Sequence, residues 1–222
     1  MIVEGYTTGV FASNTYVAAA RDGAGAVVID PGQDAAPLIA ERLEALGLRC
    51  EAVLLTHGHV DHIWNAKAVA EAAGVECWIH PDDMWLLEDP GAALGAAGMG
   101  RLHVDAPKDL SHLADGDVLR FAGLSIEVRH TPGHTPGHCA FLTDGILFSG
   151  DLIFAGSVGR TDFPRGSTQD LMESIRRVVL PLADDVAILS GHGPETTVGV
   201  ERTTNPFVLA DASGELPRLL GL

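Results

Sequence analysis

The sequence predicts an α/β fold in which two mixed β-sheets pack face to face and carry helices on their outer faces. Three observations predict it. Strand-like apolar runs alternate with helical segments through the first half of the chain. The second half has similar content, strands then a helix then a strand, without any sequence repeat. No linker separates the halves, so residues 1–222 are expected to form a single domain, and with 46% hydrophobic and 20% charged residues they can bury a core.

The elements follow in order. "GVFASNTYVAAARDGAGAVVIDPG" reads as two strands joined by the turn residues Asp22, Gly23 and Gly25, the second strand running from Ala26 to Ile29 and stopping at "DPG". In "DAAPLIAERLEALG", Leu38, Ile39, Leu43 and Leu46 recur on one helical face, and Gly47 is placed to cap it. "EAVLLT" is a strand, "IWNAKAVAEAAG" a helix ending at Gly74, and "VECWIH" a short strand. Residues Pro81 to Leu113 resist assignment. They hold a short helix candidate, "PDDMWLLED", and the Gly/Ala-rich "GAALGAAGMG", and an irregular stretch of that length suggests a lid or substrate wall. "VLRFAGLSIEVRH" gives two strands around Gly123, and "HCAFLTDGILFSG" a hairpin about Asp144-Gly145. "STQDLMESIRRVVLPL" is a helix with Ser167 as N-cap and Asp170 three residues on. "DVAILS" is the last clear strand, and the tail after Gly193 reads as short.

Charge narrows the function classes. Thirty acids against 14 bases give a net charge of -16, which opposes binding to nucleic acid or an anionic membrane. No apolar run approaches the length of a membrane span, and "MIVEGYTTGV" lacks the pattern of a signal peptide, so a cytoplasmic location is expected. Cys50, Cys77 and Cys139 are too few and too widely spaced for a disulfide framework. The G-x-S-x-G elbow, the phosphate loop and the dinucleotide-binding glycine pattern are all missing.

Four apolar runs stop where metal-ligand residues begin. "AVLLT" leads to His57, His59, Asp61 and His62; "LSIEVRHTPG" to His134; "ILFSG" to Asp151; and "VAILS", through Gly191, to His192. If those strands end at one edge, their loops converge on a pocket. Imidazoles and carboxylates suit zinc, iron or manganese, and this set is too large for one tetrahedral ion. It suits two ions sharing a carboxylate. Gly58 is expected to permit a tight backbone path between the first two histidines. His80, His103, His112 and His138 read as ordinary core or surface residues, and His130 as a strand end.

"THGHVDH" resembles the T-H-x-H-x-D-H signature of the metallo-β-lactamase-fold superfamily. "TPGHTPGH", "SGDLIFAGSVGRTDFPRGS" and "SGHGPETTVGVERTTNPF" extend the resemblance over most of the chain, and it is nearest to the short bacterial glyoxalase II-like (hydroxyacylglutathione hydrolase-like) enzymes. The resemblance implies an αββα sandwich with two divalent ions, zinc first, with iron or manganese also compatible. One ion would take His57, His59 and His134, the other Asp61, His62 and His192, with Asp151 between them and Asp30 of "DPG" bracing the metal loop. The activity implied is hydrolysis of a small-molecule thioester, S-lactoylglutathione or a related 2-hydroxyacyl thioester, by a hydroxide shared between the ions. Asp61 and Asp151 carry the catalysis. Glyoxalase II enzymes of full length hold glutathione with a basic helical extension, whereas Arg202 and Arg218 are the only bases here after His192. The thiol carrier therefore stays open. Two alternatives share the fold: a mono-iron persulfide dioxygenase, whose ligands would be His57, His134 and Asp151, and a lactonase or other ester hydrolase. Arg160, Phe163 and residues 85–99 are candidates for the substrate wall. The sequence leaves the oligomeric state undetermined.

Overall fold

Strand β1 (Ile2–Thr8) pairs antiparallel with β2 (Ser13–Ala19), and β2 with β3 (Gly25–Ile29), in the computed structural model, which describes residues 1–20, 25–94 and 104–216. Helix α1 (Ala35–Leu46) returns the chain to β4 (Arg49–Leu54), parallel to β3. Helices α2 (Val60–Ile63) and α3 (Ala66–Ala73) lead to β5 (Cys77–Ile79), and α4 (Met84–Glu88) precedes β6 (Leu110–His112). These strands form one six-stranded sheet in the order β1-β2-β3-β4-β5-β6.

The second sheet follows the order β14-β13-β10-β9-β8-β7. Its strands are β7 (Val118–Phe121), β8 (Leu124–His130), β9 (Cys139–Thr143), β10 (Ile146–Gly150), β13 (Ala187–Ser190) and β14 (Thr196–Thr197). A small separate hairpin, β11 (Ile153–Phe154) and β12 (Ser157–Val158), leaves β10. Helix α5 (Thr168–Ser174) widens into a π turn over Ile175–Val179, and α6 (Val198–Thr204) and α7 (Pro206–Ser213) close the described chain.

Alternation of side chains sorts the core into three layers. Tyr16, Ala18, Val27, Ile29 and Leu54 of the first sheet meet Leu124, Ile126, Phe141 and Phe148 of the second. Their sequence neighbours point the other way: Val17, Val28 and Val53 pack under Ile39, Ile63 and Val69, and Ala140, Leu147 and Ile188 pack under Leu171, Ile175 and Val208. A slip of one residue in any of these strands would exchange the two layers, so the register is fixed by burial. Phe141 and Phe148 are fully enclosed between the sheets, where truncation to alanine would cost about 3–5 kcal/mol. This is the αββα arrangement that the alternating pattern predicts.

The structure corrects the sequence reading in several places. Residues 2–8 form a strand beyond those the sequence pattern predicts, with the mixed burial that an edge strand shows. The tail after Gly193 is not short: it contains β14, α6 and α7. Their start signals are present in the sequence, since Thr197 accepts from the Val200 amide, and Asn205, followed by Pro206, accepts from the Phe207 and Val208 amides. Leu38 is 40% exposed and lies off the buried face of α1, which is set by Ala35 and Ile39. The helix expected over residues 63–74 is broken into α2 and α3, still closing at Gly74. Within 81–113 the short helix expected in "PDDMWLLED" is α4, and the structure adds β6. Part of the "RDGAG" turn, much of "GAALGAAGMG" and His103 lie outside the described residues.

Candidate metal centre

The C-terminal ends of β3, β4, β8, β10 and β13 lie at one edge of the sandwich, and every predicted ligand follows one of them. Donor atoms of His57, His59 and His134 lie within 4.8 Å of one another, and so do those of Asp61, His62 and His192. Asp151 stands between the two sets. Its Oδ1 is 3.4 Å from His62 Nε2, and its Oδ2 is 3.4 Å from His134 Nε2 and 3.6 Å from His192 Nε2. Asp61 Oδ2 is 3.2 Å from His192 Nε2 and 3.4 Å from His62 Nε2. The structure thus brings together all seven residues that the sequence singled out, though they are spread from 57 to 192.

Hydrogen bonds around the rim decide which nitrogen of each ring faces inward. His62 Nδ1 donates to Asp30 Oδ2 at 2.9 Å, His134 Nδ1 to the Arg160 carbonyl at 2.7 Å, and His192 Nδ1 to the Ala12 carbonyl at 3.2 Å. His57 Nδ1 is 3.0 Å from the Thr56 hydroxyl, which itself donates to Asp30 Oδ2 at 2.6 Å. In each case Nδ1 is engaged by the surrounding protein and Nε2 faces the centre, the arrangement that orients ligating imidazoles. Asp30 also accepts the Thr56 amide at 2.7 Å, which ties it to the residue just before His57.

Three buried polar atoms at this point have no hydrogen-bond partner: His57 Nε2, His62 Nε2 and Asp151 Oδ1. Buried polar groups are otherwise almost always satisfied. His59 Nδ1 and His134 Nε2 sit 2.8 Å apart, a contact that requires a proton or a cation between two lone pairs. Burial holds His57 and His59 well below the ordinary imidazole value, so both stay neutral. Burial also opposes charge on His62, but Asp61, Asp151 and Asp30 outweigh it and lift that ring to about 10. Burial raises Asp61 and is outweighed by His62 and His192, which hold the carboxyl well below its usual range. The pocket thus recruits positive charge and presents bare nitrogens, and on both counts these residues fit divalent cations.

A sequence profile of the metallo-beta-lactamase superfamily matches residues 8–192. The chain belongs to this superfamily. Hydroxyacylglutathione hydrolase GloC of Haemophilus influenzae is 41% identical over 186 residues, covering 82% of this chain and 87% of that one. Among solved structures, BLEG-1 B3 metallo-beta-lactamase superposes with a TM-score of 0.85 at 35% identity, covering 93% of this chain and 99% of that one. TTHA1623, in a di-iron-bound form, superposes with a TM-score of 0.79 at 39% identity, covering 92% and 99%.

Around this superfamily site lies a cavity of about 560 Å³ walled by Phe11, Val60, Phe154, Val158 and Phe163, with Arg160 as the only Lys or Arg among its described lining residues. Arg160 stacks 4.1 Å over the Phe163 ring and pairs with Asp162 through two bonds of 2.7 and 2.6 Å. Arg160 and Phe163 were expected in the wall. Phe11 and the β11–β12 hairpin were not, because their role depends on how loops from opposite ends of the sequence meet. A larger cavity, about 780 Å³ between α1, α3 and β4, lies on the outer face of the first sheet and contains none of the histidines.

Two supporting residues carried weak sequence signals or none. His138 is fully buried; its Nε2 accepts the Asp151 amide at 3.0 Å and its Nδ1 donates to the Thr131 hydroxyl at 2.8 Å, so it aims Asp151 from behind. Asp83, in the segment left unassigned, is fully buried against both histidine loops. Gly58 is needed for a different reason from the one expected: a Cβ there would lie 2.7 Å from Leu86 Cβ, so space rather than backbone angle excludes a side chain. His80 and His130, with Asp82, also bring donor atoms within 4.8 Å, but their rings stack in parallel at 4.1 Å. His130 Nε2 donates to the Pro136 carbonyl and His80 Nδ1 accepts the Asp82 amide, so one nitrogen of each ring is already engaged by the backbone.

Proposed function

We propose that the chain is a metal-dependent hydrolase of a small-molecule thioester, S-lactoylglutathione or a related 2-hydroxyacyl thioester. The observation that carries the reading is the pair of ligand sets meeting at Asp151, with bare nitrogens turned inward at the floor of an open cavity. His57, His59 and His134 would hold one divalent ion and Asp61, His62 and His192 the other, with Asp151 shared. Zinc, iron and manganese all match this donor set. When bound, such ions supply Lewis acidity and lower the pKa of water toward neutrality.

The chain's own residues do the rest. Asp61 is in place to accept a hydrogen bond from the attacking water and orient it. Phe11, Phe154 and Phe163 shield the reacting carbonyl from bulk solvent and hold the apolar part of the substrate. A thiolate leaves readily at its ordinary pKa, so no strong general acid is required beside it. The likeness to a hydroxyacylglutathione hydrolase over most of both chains supports the thioester.

The test is a steady-state comparison of S-lactoylglutathione, the same acyl group on other thiols, and a lactone, with metal counted on the same sample. The reading expects thioesters to exceed the lactone in kcat/KM and activity to follow metal content. Faster lactone turnover would overturn it, as would one iron per chain with oxygen uptake on a persulfide.

A further inference from the structure

Two buried carboxylates stand behind the centre, and each supports a different part of it. Asp30 holds the Thr56 amide, the Thr56 hydroxyl and His62 Nδ1. Asp83, at the start of α4, takes three donors of its own. Its Oδ2 accepts the Gly58 amide at 2.9 Å and the Thr135 hydroxyl at 2.6 Å, and its Oδ1 accepts the Gly137 amide at 2.7 Å. Gly58 lies between His57 and His59, and Thr135 follows His134 directly. One carboxylate therefore ties the backbone of two ring donors to the loop carrying the third.

The fit has no slack. A Cβ on Gly137 would lie 2.8 Å from Asp83 Oδ1, and one on Gly58 would lie 3.0 Å from the Asp83 carbonyl. The contact that depends on this tie is the 2.8 Å approach of His59 Nδ1 to His134 Nε2. We propose that Asp83 is the positioning residue of the His57/His59/His134 half of the centre, setting the spacing of its loops and hence its affinity for a cation. Asp30 supports His62 directly and His57 only through Thr56, without touching the His134 loop. The inference rests on the two-ion reading above.

Chemistry makes the carboxylate hard to replace. Asparagine has the same shape but only one acceptor oxygen. Whichever way its amide turns, an NH2 group faces a backbone N–H, of Gly58 or of Gly137. The Thr135 hydroxyl can rotate to adapt, whereas the amides cannot, so a histidine loop must move away. Losing a partner of this kind costs about 10–100-fold in metal affinity.

The experiment measures stepwise zinc affinity by competition with a chromophoric chelator for the wild type, Asp83→Asn and Thr135→Val. His192→Ala identifies which step belongs to the first set. Melting of each metal-free protein controls for folding. Asp83→Asn should weaken the step that survives in His192→Ala by about 10–100-fold and leave the other within about threefold. Thr135→Val, which removes one donor and keeps the carboxylate, should weaken the same step by less, and it carries the test if Asp83→Asn does not fold. Equal weakening of both steps, or no change in either, overturns the inference. A wild type that binds fewer than two zinc ions overturns the two-ion reading and this inference with it.

Discussion

Gly191→Ala should disable the centre without unfolding the sandwich. Gly191 joins β13 to His192, and its amide donates to the Gly150 carbonyl at 2.8 Å while its carbonyl accepts the Asn14 amide at 2.7 Å, so the backbone is held on both sides. A Cβ at this position would lie 2.2 Å from Asp151 Oδ1 and 2.7 Å from His62 Cε1. Ordinary contacts begin near 3.4 Å, so the carboxylate must retreat by about 1 Å or more. Such a shift in a reacting centre costs about 100-fold in rate, or about 2.7 kcal/mol of transition-state stabilisation. Overpacking of one methyl should cost about 1–3 kcal/mol in stability, less than a domain of this kind needs to unfold. The assay is kcat/KM on the best thioester, with metal content and melting temperature measured on the same preparation. A variant within threefold of wild type with full metal content would refute the argument that Asp151 is fixed between the two ligand sets.

Other outcomes follow from the same geometry. Asp30→Asn turns an NH2 group toward either the Thr56 amide or the pair of Thr56 hydroxyl and His62 Nδ1, and should lower metal affinity by about 10–100-fold; chelator competition checks it, and unchanged affinity would contradict the bracing role. The metal-free protein should be less stable to urea at pH 5 than at pH 7. Burial keeps His57, His59 and His138 well below the ordinary value, so the unfolded chain takes up protons first as the pH falls below about 6.5, at about 1.4 kcal/mol per pH unit for each ring. His62, raised to about 10, acts in the opposite sense: its contribution is complete below about 6.5 and fades as the pH climbs toward 10, so it offsets only part of the loss. An equal or higher urea midpoint at pH 5 would contradict this balance. Cys50, Cys77 and Cys139 are all buried, with burial pushing Cys50 up to about 11, so a thiol reagent should leave activity unchanged until the protein is unfolded.

The candidate ligands were legible in the sequence because metal chemistry demands rare residue types at dense spacing, and because each follows an apolar run that ends at a sheet edge. Asp30 became legible only through resemblance, since a "DPG" turn alone reads as punctuation; the structure gives it a left-handed backbone, φ 47°, and three hydrogen bonds. Asp83 was not legible. Locally it is one of two adjacent aspartates at the start of a short helix, and Asp82 is exposed while Asp83 is fully buried, a difference made by loops some fifty residues away. Strand β1 leaves little trace in the sequence because an edge strand alternates weakly, with only Thr8 buried. The C-terminal helices carry start signals at Thr197, Asn205 and Pro206 but no strong apolar period, so in the sequence they read as a tail.

The central claim is that seven side chains hold two cations at one edge of the sandwich. Anomalous diffraction from crystals of metal-supplied protein, collected at the absorption edge of the bound element, tests it most directly. The account predicts two peaks per chain, one among His57, His59 and His134 and one among Asp61, His62 and His192, with Asp151 between them. A single peak, or none with those side chains turned away from one another, would contradict it.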